Sequence, residues 1–124
     1  MKAVTMLQLP YITMVREILR EELSGEYDRI GSWWNRRGDE IDLLALGKNK
    51  GLAVEIKNME LSMNEAMNLI EGLREKIALV KGLHGKMILG VAARKIYSKD
   101  EIRSKGFYVW DLDMFLGTAT GAST

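Results

Sequence analysis

Cysteine is absent from the 124-residue chain, which excludes disulfides and thiolate chemistry and gives no sign of an oxidising compartment. Histidine occurs once, at His84, which argues against a histidine-based metal site or a Ser-His-Asp triad. An excess of one charge is missing too. Eighteen Lys and Arg against 17 Asp and Glu leave +1, so any polyanion binding has to come from a local basic patch. No apolar run is long enough to span a bilayer and the N-terminus lacks a signal-peptide layout, so the expected setting is a cytoplasm, with no membrane partner. Neither an internal repeat nor an interdomain linker breaks the chain. What is present is ordinary for a globular protein, 47% hydrophobic and 28% charged. Residues 1–116 read as one domain large enough to bury a core, and the small, polar stretch from Gly117 to Thr124 reads as a flexible tail.

Met1 to Leu9 is apolar without a clear period: a short strand, a dimer contact or a disordered leader. Pro10 fits the first turn of a helix running to about Leu23. On a helical wheel Tyr11, Met14, Val15, Ile18 and Leu19 form one stripe, with Ile12 and Leu23 at its edge. Glu17 and Glu21 point away from that stripe, whereas Glu22 falls inside it. Glu26 to Trp34 reads as a strand in which Trp33 and Trp34 are sheet-packing residues rather than base-stacking platforms. After a turn at Asn35-Arg36-Arg37-Gly38, the apolar runs Ile41 to Leu46 and Leu52 to Ile56 flank a hairpin turn at Lys48-Asn49-Lys50-Gly51. Ser62-x-x-Glu65 is a capping box opening a helix to about Lys81, and Met87 to Ala93 has the continuous apolar character of a strand buried on both faces. A crossover helix places that strand parallel to the one before it. Ser98-x-x-Glu101 caps a further short helix, Phe107 to Trp110 is a last strand, and Asp111 to Leu116 closes with a turn of helix. The order α-β-β-β-α-β, then a short α and β, predicts an α/β fold with helices around a mixed sheet.

Charge interrupts the two hairpin runs where a buried strand tolerates it badly. Asp42 sits at the start of one; Glu55 and Lys57, on one face by strand alternation, sit at the end of the other. Pairing across the hairpin brings all three together. Two converging carboxylates with room for water suit Mg²⁺ or Mn²⁺, with the Ile56 carbonyl as a further oxygen, and an adjacent ammonium can orient water or offset charge on a phosphate. Arg36, Arg37, Lys48 and Lys50 are either a solvated turn surface or phosphate contacts.

These residues resemble the PD-(D/E)XK, or restriction-endonuclease-like, nuclease superfamily, with Asp42 as the metal-binding aspartate and Glu55-x-Lys57 as the (D/E)-x-K pair. Gly31-Ser-Trp-Trp, Asp39-Glu-Ile-Asp-Leu-Leu-Ala and Ala53-Val-Glu-Ile-Lys, with Arg16-Glu17-Ile18-Leu19, look more closely like the C-terminal nuclease-like domain attached to archaeal P-loop ATPases. The resemblance implies a restriction-endonuclease-like core, a Mg²⁺- or Mn²⁺-dependent deoxyribonuclease and a DNA substrate. It also implies a P-loop ATPase as partner, although no G-x-x-x-x-G-K-(S/T) lies within these residues. One departure stands out. Ile12 occupies the position where the family's first helix usually carries an acid, leaving Glu22 and Glu17 as the first-helix candidates. The alternatives to an active nuclease are a catalytically degenerate module that binds DNA or protein, and a subunit that dimerises through Met1 to Leu9.

Overall fold

A computed structural model describes residues 5–114. Local sequence accounts for most of its elements. The capping box forms as the sequence predicts: Ser62 accepts from the Glu65 N–H at 3.1 Å and Glu65 accepts from the Ser62 N–H at 2.8 Å. They open helix α2, Met63–Ile77, which buries Ala66, Ile70 and Leu73. Helix α1 spans Thr5–Leu23, so Pro10 lies inside it rather than in its first turn. As the sixth residue of the helix it lies past the four N–H groups that need no partner, so its missing N–H removes one intrahelical bond.

The wheel misjudged the buried face of α1. The structure buries the row Tyr11, Val15, Leu19 and Leu23, while Met14 is 43% exposed and Glu22 faces solvent. A helix lying on a sheet buries one i, i+4 row fully, and the broader stripe drawn on a wheel overstates its contact. Glu22 therefore cannot serve the interior. After Leu23 the chain turns tightly, with the Glu26 and Tyr27 N–H groups both donating to the Leu23 carbonyl at 3.0 and 3.2 Å, which delays the first strand past Glu26.

The strands are β1 (Arg29–Trp34), β2 (Glu40–Gly47), β3 (Lys50–Leu61), β4 (Lys86–Ile96) and β5 (Tyr108–Asp111). They form one mixed sheet in the order β1-β2-β3-β4-β5. The first three make an antiparallel meander, and β4 and β5 add on in parallel. Helix α3, Lys99–Ser104, lies between β4 and β5. Its expected cap is absent: Ser98 is left-handed, with φ 63° and ψ 38°, and makes no side-chain cap bond. Capping needs extended backbone to aim the hydroxyl at the first N–H groups. Leu112 to Met114 begin a helical turn, while the rest of the expected closing turn and the tail lie outside the described residues.

Two apolar layers sandwich the sheet. Leu52, Val54 and Ile56 of β3 pack with Tyr11, Val15, Leu19 and Leu23 of α1. Ala53 packs on the other face with Ala66, Ile70 and Leu73 of α2 and Ile102 of α3. Strand alternation thus sends Glu55 and Lys57, odd-numbered like Ala53, toward α2.

Candidate active site

The site arises where β2 and β3 part. Their ladder runs from Gly47↔Lys50 to Leu43↔Val54 and stops. Beyond it β2 continues to Glu40 beside β1, and β3 continues to Leu61 beside β4. Each diverging strand carries a bulge at the fork. Between Gly31↔Leu44 and Trp33↔Ile41, Ser32 of β1 faces both Asp42 and Leu43. Between Lys57↔Ala93 and Glu60↔Lys95, Arg94 of β4 faces both Asn58 and Met59. Bulges bend a strand and re-aim its side chains, and these two flank Asp42, Glu55 and Lys57.

Splaying strands strips backbone groups of partners, and buried ones must find others. Here side chains take over. Asp42 Oδ2 accepts the Ile56 N–H at 2.9 Å, and Arg16 Nε of α1 donates to the Asp42 carbonyl at 2.8 Å. In extended backbone the Ile56 carbonyl projects to the same edge as its N–H, so it too faces the fork. Continuing the register places Glu55 across from Asp42.

Glu55 is 6% exposed. Its Oε2 lies 3.4 Å from Lys76 Nζ of α2, while its Oε1 is buried without a hydrogen-bond partner. Burial raises the Glu55 pKa above the usual carboxylate range, the Asp42 charge raises it further, and Lys76 and Lys57 oppose the shift. Burial also raises Asp42, against the Ile56 N–H and the Lys57 charge. Two carboxylates thus repel each other in a poorly solvated pocket, which favours an added cation. Lys57 is half-buried and lines a shallow cavity of about 300 Å³ with Met59, Leu61, Glu65, Asn68 and Leu69.

Other expected residues lie elsewhere. Glu17 is exposed and pairs with Arg20 at 3.6 Å, and Ile12 packs against the apolar layer under α1, so α1 sends an arginine to the fork instead of an acid. Arg36 and Arg37 sit at the fork end of the sheet. Lys48 and Lys50 sit at the hairpin end, roughly 20 Å away along β2, where Lys50 pairs with Glu26 at 3.7 Å and lies over the Tyr27 ring. The four do not form one patch. Trp33 packs against the layer under α2, but Trp34 is 72% exposed and does not pack as expected. Among the described residues no three Asp, Glu, His or Cys side chains converge as a metal-binding group. Sequence reasoning missed Arg16 and Lys76. The only signals were Arg16 in the family-like first-helix segment and Lys76 at the border of the α2 stripe.

Residues 5–69 match the family described as "Archaea bacterial proteins of unknown function" (DUF234). The chain belongs to this family. The DUF234 segment contains Arg16, Asp42, Glu55 and Lys57, but ends before Lys76. An 81-residue stretch, 64% of the chain, is 35% identical to an uncharacterized protein of Methanocaldococcus jannaschii and spans 18% of that protein's length. No solved structure matches the chain. Among the described residues no helix is long and apolar enough to cross a membrane.

Proposed function

We propose that the fork is a restriction-endonuclease-like site that hydrolyses phosphodiester bonds in DNA with the help of Mg²⁺ or Mn²⁺. The observation that carries the reading is the unpartnered Glu55 Oε1, buried across the fork from Asp42. A buried carboxylate oxygen without a donor costs free energy unless a cation or water completes it. Asp42, Glu55 and the Ile56 carbonyl supply the hard oxygen ligands that Mg²⁺ takes while keeping several waters. When bound, such an ion offsets phosphate charge and makes water more acidic. The Lys57 charge acts on both carboxylates, opposing the rise in their pKa, and such an ammonium can orient water or meet charge building on the phosphate. Lys76 holds Glu55 through Oε2, and Arg16 holds the fork open by satisfying the Asp42 carbonyl.

The test is cleavage of supercoiled, linear, branched and single-stranded DNA with Mg²⁺ or Mn²⁺. Cutting is expected to fall at least about 100-fold in Asp42→Asn and in Lys57→Ala, the scale of losing one charge-stabilising group. Equal cutting by the variants, or no cutting of any substrate, overturns the reading.

A second reading has its own observation: among the described residues α1 brings Arg16 and no acid to the fork, and Lys76 already neutralises part of Glu55. This favours a degenerate module that binds DNA or a protein partner, a P-loop ATPase or a second copy among them. Calorimetry with Mn²⁺ separates the two. Binding that Asp42→Asn abolishes supports the enzyme; no heat from the unmodified chain supports the module.

A further inference from the structure

From the surface beside the fork we infer that Trp34 is a stacking platform for an unpaired base, making single-stranded or splayed nucleic acid the ligand class of this face. The inference rests on the nucleic-acid reading above and extends it to the substrate's structure. Trp34 ends β1 at 72% exposed, the most exposed of the large hydrophobic side chains among the described residues. Strand alternation turns it away from Trp33, hence to the α1 side, but α1 does not cover it. The helix holds β1 at Ile30, through Arg20 Nη1 at 2.6 Å, and β2 at Asp42, through Arg16. Trp34 pairs with Glu40, which places it roughly 7 Å along the strands from Asp42.

The turn that follows is built rather than loose. Asn35 Oδ1 accepts the Arg37 and Asp39 N–H groups, each at 3.0 Å. Its Nδ2 donates to Asp39 Oδ2 at 3.1 Å, and its own N–H donates to the Asp39 carbonyl at 3.0 Å. Gly38, at φ 93°, closes the turn. Arg36 is exposed, and Arg37 reaches Asp39 only at 3.9 Å. An exposed indole followed, two and three residues on, by two arginines on an ordered turn matches a base and its flanking phosphates, the combination that single-strand binders use. Glu40, directly across from Trp34, disfavours a phosphate there and leaves the ring face to an uncharged base. A blunt duplex keeps its bases stacked on one another and offers the ring nothing equivalent.

The experiment is binding of the 124-residue chain, in EDTA so that no cutting occurs, to fluorescent oligothymidylate and to a blunt duplex of equal length. Trp34→Ala is expected to weaken oligothymidylate binding roughly tenfold, with Trp34→Phe retaining most of it. Duplex binding is expected to change by less than about twofold, since phosphate contacts persist. Arg36→Gln with Arg37→Gln weakens both ligands and lowers the salt slope by about two. Unchanged oligothymidylate binding by Trp34→Ala overturns the inference, as does an equal loss on the duplex. A drop in particle mass in Trp34→Ala overturns it as well, because the face then joins copies of the chain. Cleavage is read separately. A chain that stacks oligothymidylate but cuts nothing removes only the catalytic reading; one that cuts DNA yet ignores Trp34 removes only this one.

Discussion

At the hairpin end of β2 and β3 the two backbones stay paired up to the turn, Gly47 opposite Lys50, whereas at the other end the ladder stops at Leu43 opposite Val54. The closed end is completed by backbone. Gly85, at φ 80°, packs directly against the Asn49 backbone, and the Lys86 N–H donates to the Asn49 carbonyl at 3.3 Å. The open end is completed by charged side chains: Asp42 on the Ile56 N–H and Arg16 on the Asp42 carbonyl. The same pair of strands is therefore stitched at one end and held apart at the other. Parting the strands is what makes room for Asp42, Glu55 and Lys57 to face one another, and the cost is two carboxylates in poorly solvated positions.

That contrast is broken most severely at the closed end. Gly85→Ala puts a Cβ into the Asn49 backbone at a positive φ, and the expected loss is roughly 2–4 kcal/mol of stability, the sum of left-handed strain and overpacking. Urea unfolding monitored by circular dichroism measures it. An unchanged midpoint would mean that the Gly85 loop is not tied to the hairpin. Per folded molecule, the variant should retain its fork chemistry.

Arg16→Met acts on the open end and is expected to cost less, roughly 1–3 kcal/mol, because it leaves one part-buried carbonyl without its donor. Unlike the glycine variant, it should also weaken Mn²⁺ binding, since Asp42 loses the tether on its own backbone. A calorimetric titration that gives the unmodified affinity would separate the fork's geometry from Arg16.

The smallest effect, and the only stabilising one, is expected from Glu55→Gln. The folded-state pKa of Glu55 is raised, so the folded chain holds its proton more tightly than the unfolded chain does. Stability therefore falls as pH rises from the ordinary carboxylate range through the raised pKa, and the loss is complete above it. Gln removes that contribution. Melting curves across acidic to neutral pH should show a shallower decline and a higher midpoint at neutral pH than the unmodified chain. A lower midpoint at neutral pH would show instead that the Lys76 pair outweighs the desolvation of Glu55.

How far the molecule was legible varies element by element, for physical reasons. Helix α2 was readable because a capping box and an apolar period are local properties. The meeting of Asp42 with Glu55 was readable because a short hairpin turn sets register, and register sets neighbours. The facing of α1 was read wrongly at Met14, Leu23 and Glu22, since a wheel contains no information on how narrow the contact with the sheet will be. Ser98 had the residue type of a cap, but its backbone angles were decided by the exit from β4. Trp34 looked like core because β-favouring bulk usually packs, and its exposure depends on where α1 stops covering the sheet.

The sequence by itself determined the order of elements, the mixed sheet it implies and the three charges placed to meet at one end of a hairpin. Each follows from local pattern or from pairing across a short turn. Only the tertiary structure decided that β2 and β3 part after Leu43, that Arg16 and Lys76 reach the fork, that Glu55 keeps an oxygen without a partner, and that Trp34 stands in solvent. Those outcomes depend on bulges and on which helix covers which stretch of sheet. They are set by contacts between segments far apart in the chain, which no local pattern encodes.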